Sequence, residues 1–297
     1  MRPSIGTILC GFAALFAVAG ATTPGRFAGG PAVVDAAGSA KAAQRGAVQY
    51  LKLPADLPDR VLNVPILMYH HVSSLPPATE LNYGLTVTDA SFRAQLEYLQ
   101  VHGFHSIALT QLFAALYHRA KLPSKPIVLT FDDGYLDNYT DALPLLREYH
   151  AHAEFNIISS YVGITLGVNS YMNWAQIKAL VAANMEIGSH TVDHQDLGLL
   201  SEVKIRFELR DSRNILQQML SVPVQFLAYP SGQPFARGDA AEEQLVLSLM
   251  PQYGYVGALL DEPVPSSMQN AQQPFQLPRI RVAGGEELAA FAASLRT

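Results

Sequence analysis

Two carboxylates stand side by side at the end of an apolar run. Ile127, Val128 and Leu129 lead through Thr130 and Phe131 into Asp132, Asp133 and Gly134. Adjacent like charges at the mouth of a buried strand cost stability unless a cation compensates them. Further on, "MEIGSH" ends a second apolar run at His190, and His194 follows four residues later in "HTVDH". Each signal alone is weak. In a chain with nine histidines, such a spacing arises by chance and reads as an exposed pair in a turn. An acidic turn after a strand can be a helix cap. Taken together they are stronger. Two imidazoles and one carboxylate hold a small divalent ion with open positions, as in catalytic zinc sites. The other carboxylate is then free to act as a base. Two further groups carry chemistry: His70 and His71 close "VPILMY", and Ser231 and Gly232 follow "LAYP".

These residues need a scaffold that gathers strand ends. From Val61 onward, apolar runs alternate with segments of helical period. "VPILMY", "HSIAL", "KPIVLTF", "EFNIIS", "MEIGSH", "VQFLAYP", "GYVGALL" and "QLPRIRV" read as strands. Between them, residues 89–103, 110–119, 140–151, 173–184, 201–220 and 241–254 read as helices, and 285–295 as a closing one. Asp89 is the expected N-cap of the first. Alternation of this kind predicts an α/β fold with a parallel sheet, and seven or eight units fit a β/α barrel. Barrel chemistry sits at the C-terminal ends of the strands, where His70, Asp132, Asp133, His190, Tyr229 and Arg279 fall.

The rest of the chain bounds the class. Its 297 residues are 49% hydrophobic and 15% charged, enough for one sizeable core. A net charge of −5 excludes the basic excess of a nucleic-acid binder. The single cysteine, Cys10, leaves the body without a disulfide framework or cysteine metal site. Residues 1–21 read as a cleaved export signal: Arg2, an apolar stretch from Ile5 to Val18, then Ala19-Gly20-Ala21. The protein is therefore expected to be exported: periplasmic, envelope-bound or secreted. A membrane contact is expected only if the leader is uncleaved. Residues 22–60, rich in Ala, Gly and Pro, read as a flexible extension, and 61–297 as one catalytic domain.

"PILMYHHV", "VLTFDDGY", "EIGSHTVDH" and "AYPSG", in that order, resemble the polysaccharide deacetylases, the nodulation-type carbohydrate esterase family. The resemblance spans about residues 61–285. It implies a distorted (β/α)7–8 barrel, a divalent ion (Zn²⁺, with Co²⁺ or Ni²⁺ as alternatives) held by Asp133, His190 and His194, and Asp132 as catalytic base. The implied partner is an acetylated glycan, acted on by a monomer. Two departures bear on the site. Where many members carry Arg-x-Pro-Tyr, this chain has Ala228-Tyr229-Pro230-Ser231, and no histidine follows His194. The Tyr69-His70-His71 run is similar to that of exported biofilm-polysaccharide deacetylases with a permuted histidine motif. That assigns the acid to His70, with His71 a neighbour. Arg279 is expected to replace the missing arginine. The Ser231 N–H, in the Tyr229-Pro230-Ser231 stretch, is expected to hold the oxyanion. The expected activity is removal of N-acetyl groups from an N-acetylglucosamine polymer. An O-acetyl esterase and a non-catalytic glycan-binding relic are the alternatives.

Overall fold

The computed structural model describes residues 50–295, apart from 76, 78 and 262–265. The expected leader and residues 22–49 of the expected extension lie outside the described residues.

Eight strands form one all-parallel sheet: β1 (Ile66–Tyr69), β2 (His105–Ser106), β3 (Pro126–Phe131), β4 (Glu154–Ile157), β5 (Glu186–Ser189), β6 (Phe226–Ala228), β7 (Gly257–Leu259) and β8 (Ile280–Arg281). The order is β7-β6-β5-β4-β3-β1-β8, with β2 against the start of β3. Between the two edges, Leu277 forms a parallel bridge to Leu259. Its N–H donates to Ala258 O at 2.9 Å, and its carbonyl accepts from Leu260 N at 2.9 Å. Residues 277–281 thus touch β7 at one end and β1 at the other, closing a distorted barrel.

The helices are α1 (Glu80–Leu85), α2 (Asp89–Val101), α3 (Leu109–His118), α4 (Leu143–Glu148), α5 (Trp174–Ala182), α6 (Glu202–Leu220), α7 (Ala240–Gln252) and α8 (Leu288–Ser294). In α2, Phe92, Leu96 and Leu99 make one buried stripe at helical spacing. The cap is Thr88 rather than Asp89: its hydroxyl accepts from Ser91 N at 3.1 Å, and Asp89 lies inside the first turn. The expected helix over 140–151 is a π turn, Asn138–Ala142, followed by α4. Pro144 stands at the second residue of α4, directly after the π turn, and has no N–H to give the helix there.

Three small pairings were not expected: Val61–Asn63 with Met268–Asn270, His71–Val72 with Thr86–Val87, and the Thr165–Leu166/Asn169–Ser170 hairpin. Their strands are two or three residues long, too short for a hydrophobic alternation to register. Residues 50–60 of the expected extension lie among the described residues. Leu51, Leu53 and Leu57 pack on the core, and Leu51 exchanges two hydrogen bonds of 3.0 Å with the Gln225 side chain.

The strand period of two sorts side chains between the barrel's faces. Tyr69, Phe131 and Phe155 stack outward across β1, β3 and β4, with ring centroids 5.2 and 4.9 Å apart. Thr130 and Asp132, Glu154 and Asn156, and Gly188 and His190 therefore fall on the opposite, interior face.

Candidate metal centre

The candidate site forms where β1, β3, β5 and β6 end. The Asp132 N–H donates to Tyr69 O at 2.9 Å, extending the β1–β3 pairing by one residue. The backbone then turns sharply, with Asp133 at φ 73° and Gly134 at φ 79°. Aspartate tolerates this left-handed region better than most residues. The reversal sends the two neighbouring carboxylates to different tasks.

Asp133, His190 and His194 offer three ligand atoms within 4.8 Å of one another. Asp133 Oδ1 is 3.3 Å from His190 Nε2 and 3.4 Å from His194 Nε2. The same oxygen is buried and has no hydrogen-bond partner among the described residues. His190 Nδ1 lies 2.8 Å from Ala228 O, which fixes Nδ1 as the protonated nitrogen and turns the Nε2 lone pair toward Asp133. An unpartnered buried carboxylate oxygen facing two imidazole nitrogens fits a divalent ion. The turn that brings His194 back is held from behind. The buried Glu208 carboxylate of α6 accepts from Val192 N at 2.8 Å and Asp193 N at 3.0 Å, and the Thr191 hydroxyl accepts from His194 N at 3.1 Å.

Asp132 is gripped separately. Arg279 forks onto it, 2.8 Å to Oδ1 and 2.7 Å to Oδ2, and Asn156 Nδ2 donates to Oδ1 at 2.8 Å. Arg279 also donates to Leu260 O and Thr130 Oγ1. Burial alone would raise the Asp132 carboxyl; the Arg279 guanidinium, followed by His190, reverses this and holds it well below the usual carboxylate range. Burial likewise opposes ionisation of Asp133, and the two histidines overcome it. Burial and then the neighbouring His190 pull His194 down to about 4, leaving its ring neutral. Burial also lowers His70, against the pull of Asp133 and Asp132.

A cleft of about 460 Å³ opens over these groups. His70, Asp132, Asp133, His190, His194 and Ser231 line it, with Tyr135, Tyr161 and Tyr171 on the wall toward the 165–170 hairpin. Ser231 adopts φ 52° there, at the end of β6. Three further residues named by the sequence take different places around the cleft. The Tyr229 ring packs in the core, and its hydroxyl donates to Phe275 O at 3.1 Å, so the residue meets the cleft without offering that group. Arg279 is 1% exposed and holds Asp132 from inside the barrel rather than facing a ligand. His71 stacks on Tyr135 and binds Asp137 Oδ2 at 2.6 Å, outside the cleft lining. Asn156, Glu208 and the Arg281–Asp261 pair on the cleft wall escaped the sequence reading. Each lies outside the motifs, although Asn156 interrupts an apolar strand run and so carried a signal.

Residues 119–251 match the model of the polysaccharide deacetylase family. The Bacillus subtilis (strain 168) protein YxkH, named for polysaccharide deacetylase activity, is 28% identical over 239 residues, covering 80% of this chain and 78% of that protein. The poly-β-1,6-N-acetyl-D-glucosamine N-deacetylase of Escherichia coli (strain K12) is 25% identical over 72% of this chain, which spans only 36% of that longer protein. Among solved structures, the Streptococcus pyogenes deacetylase PplD, in complex with acetate, aligns at a TM-score of 0.69 and 26% identity, over 80% of this chain and 99% of its own. The match to the polysaccharide deacetylase family model runs through the strand that delivers both aspartates and the turn that delivers both clustered histidines.

Proposed function

We propose that the protein is a metal-dependent hydrolase that removes N-acetyl groups from an exported or cell-envelope polysaccharide, with an N-acetylglucosamine polymer as the leading substrate. The observation that carries this is the pairing of a three-ligand cluster with a second, independently anchored carboxylate in one open cleft. The family match and the poly-N-acetylglucosamine deacetylases among its relatives support the substrate class.

Asp133, His190 and His194 are the ligands in this reading. A divalent ion such as Zn²⁺ held there supplies Lewis-acid polarisation of the acetyl carbonyl and lowers the pKa of a water from 15.7 toward ~7. Asp132 stays ionised across the physiological range and takes the water proton. Arg279 and Asn156 occupy fixed directions around its oxygens, which leaves a lone pair on Oδ2 for that proton. Ser231 lines the cleft, and its N–H is the donor assigned in this reading to the developing oxyanion. His70 stands on the cleft wall and protonates the departing amine, which is a poor leaving group otherwise. Water and the amide become acetate and a free amine.

Among the described residues, no helix is long and apolar enough to cross a membrane. Export rests on residues 1–21, and the Leu51–Gln225 hydrogen bonds support a catalytic domain that takes in residues from about 50 onward.

One observation favours O-acetyl ester hydrolysis as a second reading: burial lowers His70 and weakens its hold on a proton, and an alcohol needs less help to leave. Acetate release from β-1,6-linked N-acetylglucosamine oligomers and from an O-acetylated glycan, compared on one metal-loaded preparation, separates the two. The amide reading requires release from the oligomer. Release from the O-acetylated glycan alone overturns it.

A further inference from the structure

Below the candidate site, the barrel interior is polar where such barrels ordinarily pack Val, Ile and Leu. Thr130, Glu154, Asn156 and Arg279 are all buried. Three are hydrogen-bonded toward Asp132 or to one another, and Glu154 is the exception. It is 1% exposed, and neither carboxyl oxygen has a hydrogen-bond partner among the described residues.

Asn156 shows what Glu154 is for. A carboxylate only accepts, so the end of the Asn156 amide facing Asp132 must be Nδ2, as found at 2.8 Å. Its Oδ1 then points down the barrel, and it too is buried and unpartnered. Glu154 lies two residues earlier on the same face of β4. The two side chains share the space above Gly188 of β5, the partner of Asn156 in register. A Cβ on Gly188 would sit 2.1 Å from Asn156 Oδ1 and 2.8 Å from Glu154 Oε1. An ionised Glu154 would set one acceptor against another there. A neutral carboxylic acid supplies the donor that Asn156 Oδ1 lacks.

We infer that Glu154 is a positioning residue for Asp132: its acid O–H is donated to Asn156 Oδ1, so that the amide nitrogen is the end presented to Asp132. This rests on the reading of Asp132 as the base. The charges around Glu154 agree with it. Burial and then the Glu186 charge push its carboxyl well above the usual range, with Asp132 adding to the push and Arg279 opposing it. A neutral Glu154 also leaves Arg279 undivided between two carboxylates. Glu154 also lines a cavity of about 180 Å³, together with Thr110, Glu186 and Gln225.

The test uses the full metal-loaded chain. Infrared spectra at neutral pH should show the carbonyl band of a protonated carboxylic acid, absent in Glu154→Gln. Glu154→Leu should lose roughly tenfold in kcat, the scale of one lost hydrogen bond of ~1.4 kcal/mol, at unchanged KM and metal content. Glu154→Gln keeps an N–H donor and should recover most of that loss. Asn156→Leu should match Glu154→Leu, and the double variant should be no worse than either. Absence of the acid band, or equal damage in Glu154→Gln and Glu154→Leu, overturns the proposal. If Glu154→Leu does not fold, the infrared comparison of wild type with Glu154→Gln decides alone. Failure of the base reading would show separately, as full activity in Asp132→Asn with the acid band intact.

Discussion

Asp132 and Asp133 are adjacent and chemically alike, yet their surroundings divide them. Asp133 turns an unpartnered oxygen toward two imidazole nitrogens, whereas every hydrogen bond to the Asp132 carboxylate comes from Arg279 or Asn156. Substitution should expose the division. Asp132→Asn is expected to keep stoichiometric metal, read by elemental analysis, while turnover falls by ~10²–10⁴, the range of a lost general base. Asp133→Ala is expected to lose metal and activity together. Equal metal loss in both variants would make the pair jointly structural. His70 offers a second test at this scale. As the acid, its replacement by alanine should slow amide cleavage about 10²-fold more than cleavage of an aryl acetate, whose leaving group departs unprotonated. His71→Ala should show little such contrast, because that ring faces Asp137 and Tyr135. Equal losses on amide and aryl ester would remove His70 from proton transfer. The Asp133, His190 and His194 cluster was readable because its residues follow closely on the ends of two apolar strand runs. The holders of Asp132 were harder. Arg279 was expected at the site, but its direction depends on closure of the barrel by residues 277–281. Asn156 carries no motif.

At the scale of elements, β3 carries the account. Its residues 127–131 are buried on both faces, as a central parallel strand requires. Phe131, immediately before Asp132, stacks on Tyr69 and Phe155 and meets Phe92 of α2 edge-on at 5.8 Å. Phe131→Ala should cost about 3–5 kcal/mol in chemical denaturation, the range for a buried aromatic truncated in a packed core. A loss under ~1 kcal/mol would mean the stack does not anchor the strand. The long elements were legible because their apolar periodicity is strong: α6 was expected over 201–220 and spans Glu202–Leu220. The strands came out shorter than their apolar runs. "VQFLAYP" yields only Phe226–Ala228: the Tyr229 N–H still donates to Leu259 O at 3.1 Å, and Pro230, which has no N–H to give, ends the ladder. The π turn at Asn138–Ala142 has no signature in composition. Its Asn138 side chain donates to His70 O at 2.7 Å, and Asp137 just before it binds His71. This pair of contacts ties the turn to the end of β1.

Across the described residues, the barrel confines a short column of polar groups inside a largely apolar body: the Asp132–Arg279 ion pair and, beneath it, a neutral Glu154. Folding should take up a proton at Glu154. Its folded pKa is raised, so the group's contribution is fully present below the ordinary carboxylate value of ~4.3 and is lost as pH rises toward the folded pKa. Wild-type stability, measured by denaturant unfolding, should therefore fall with rising pH above about 5 relative to Glu154→Gln, which cannot ionise. Parallel pH profiles for the two proteins would show that Glu154 is already ionised in the fold.

The central claim is that one metal-loaded cleft cuts an acetamide. Its most direct test is acetate release from an N-acetylglucosamine oligomer while metal is stripped by a chelator and returned by titration. Release should stop on stripping. It should recover at one equivalent of divalent metal in the wild type, and not recover at that equivalence in His190→Ala. Undiminished release from protein shown to be metal-free would contradict it.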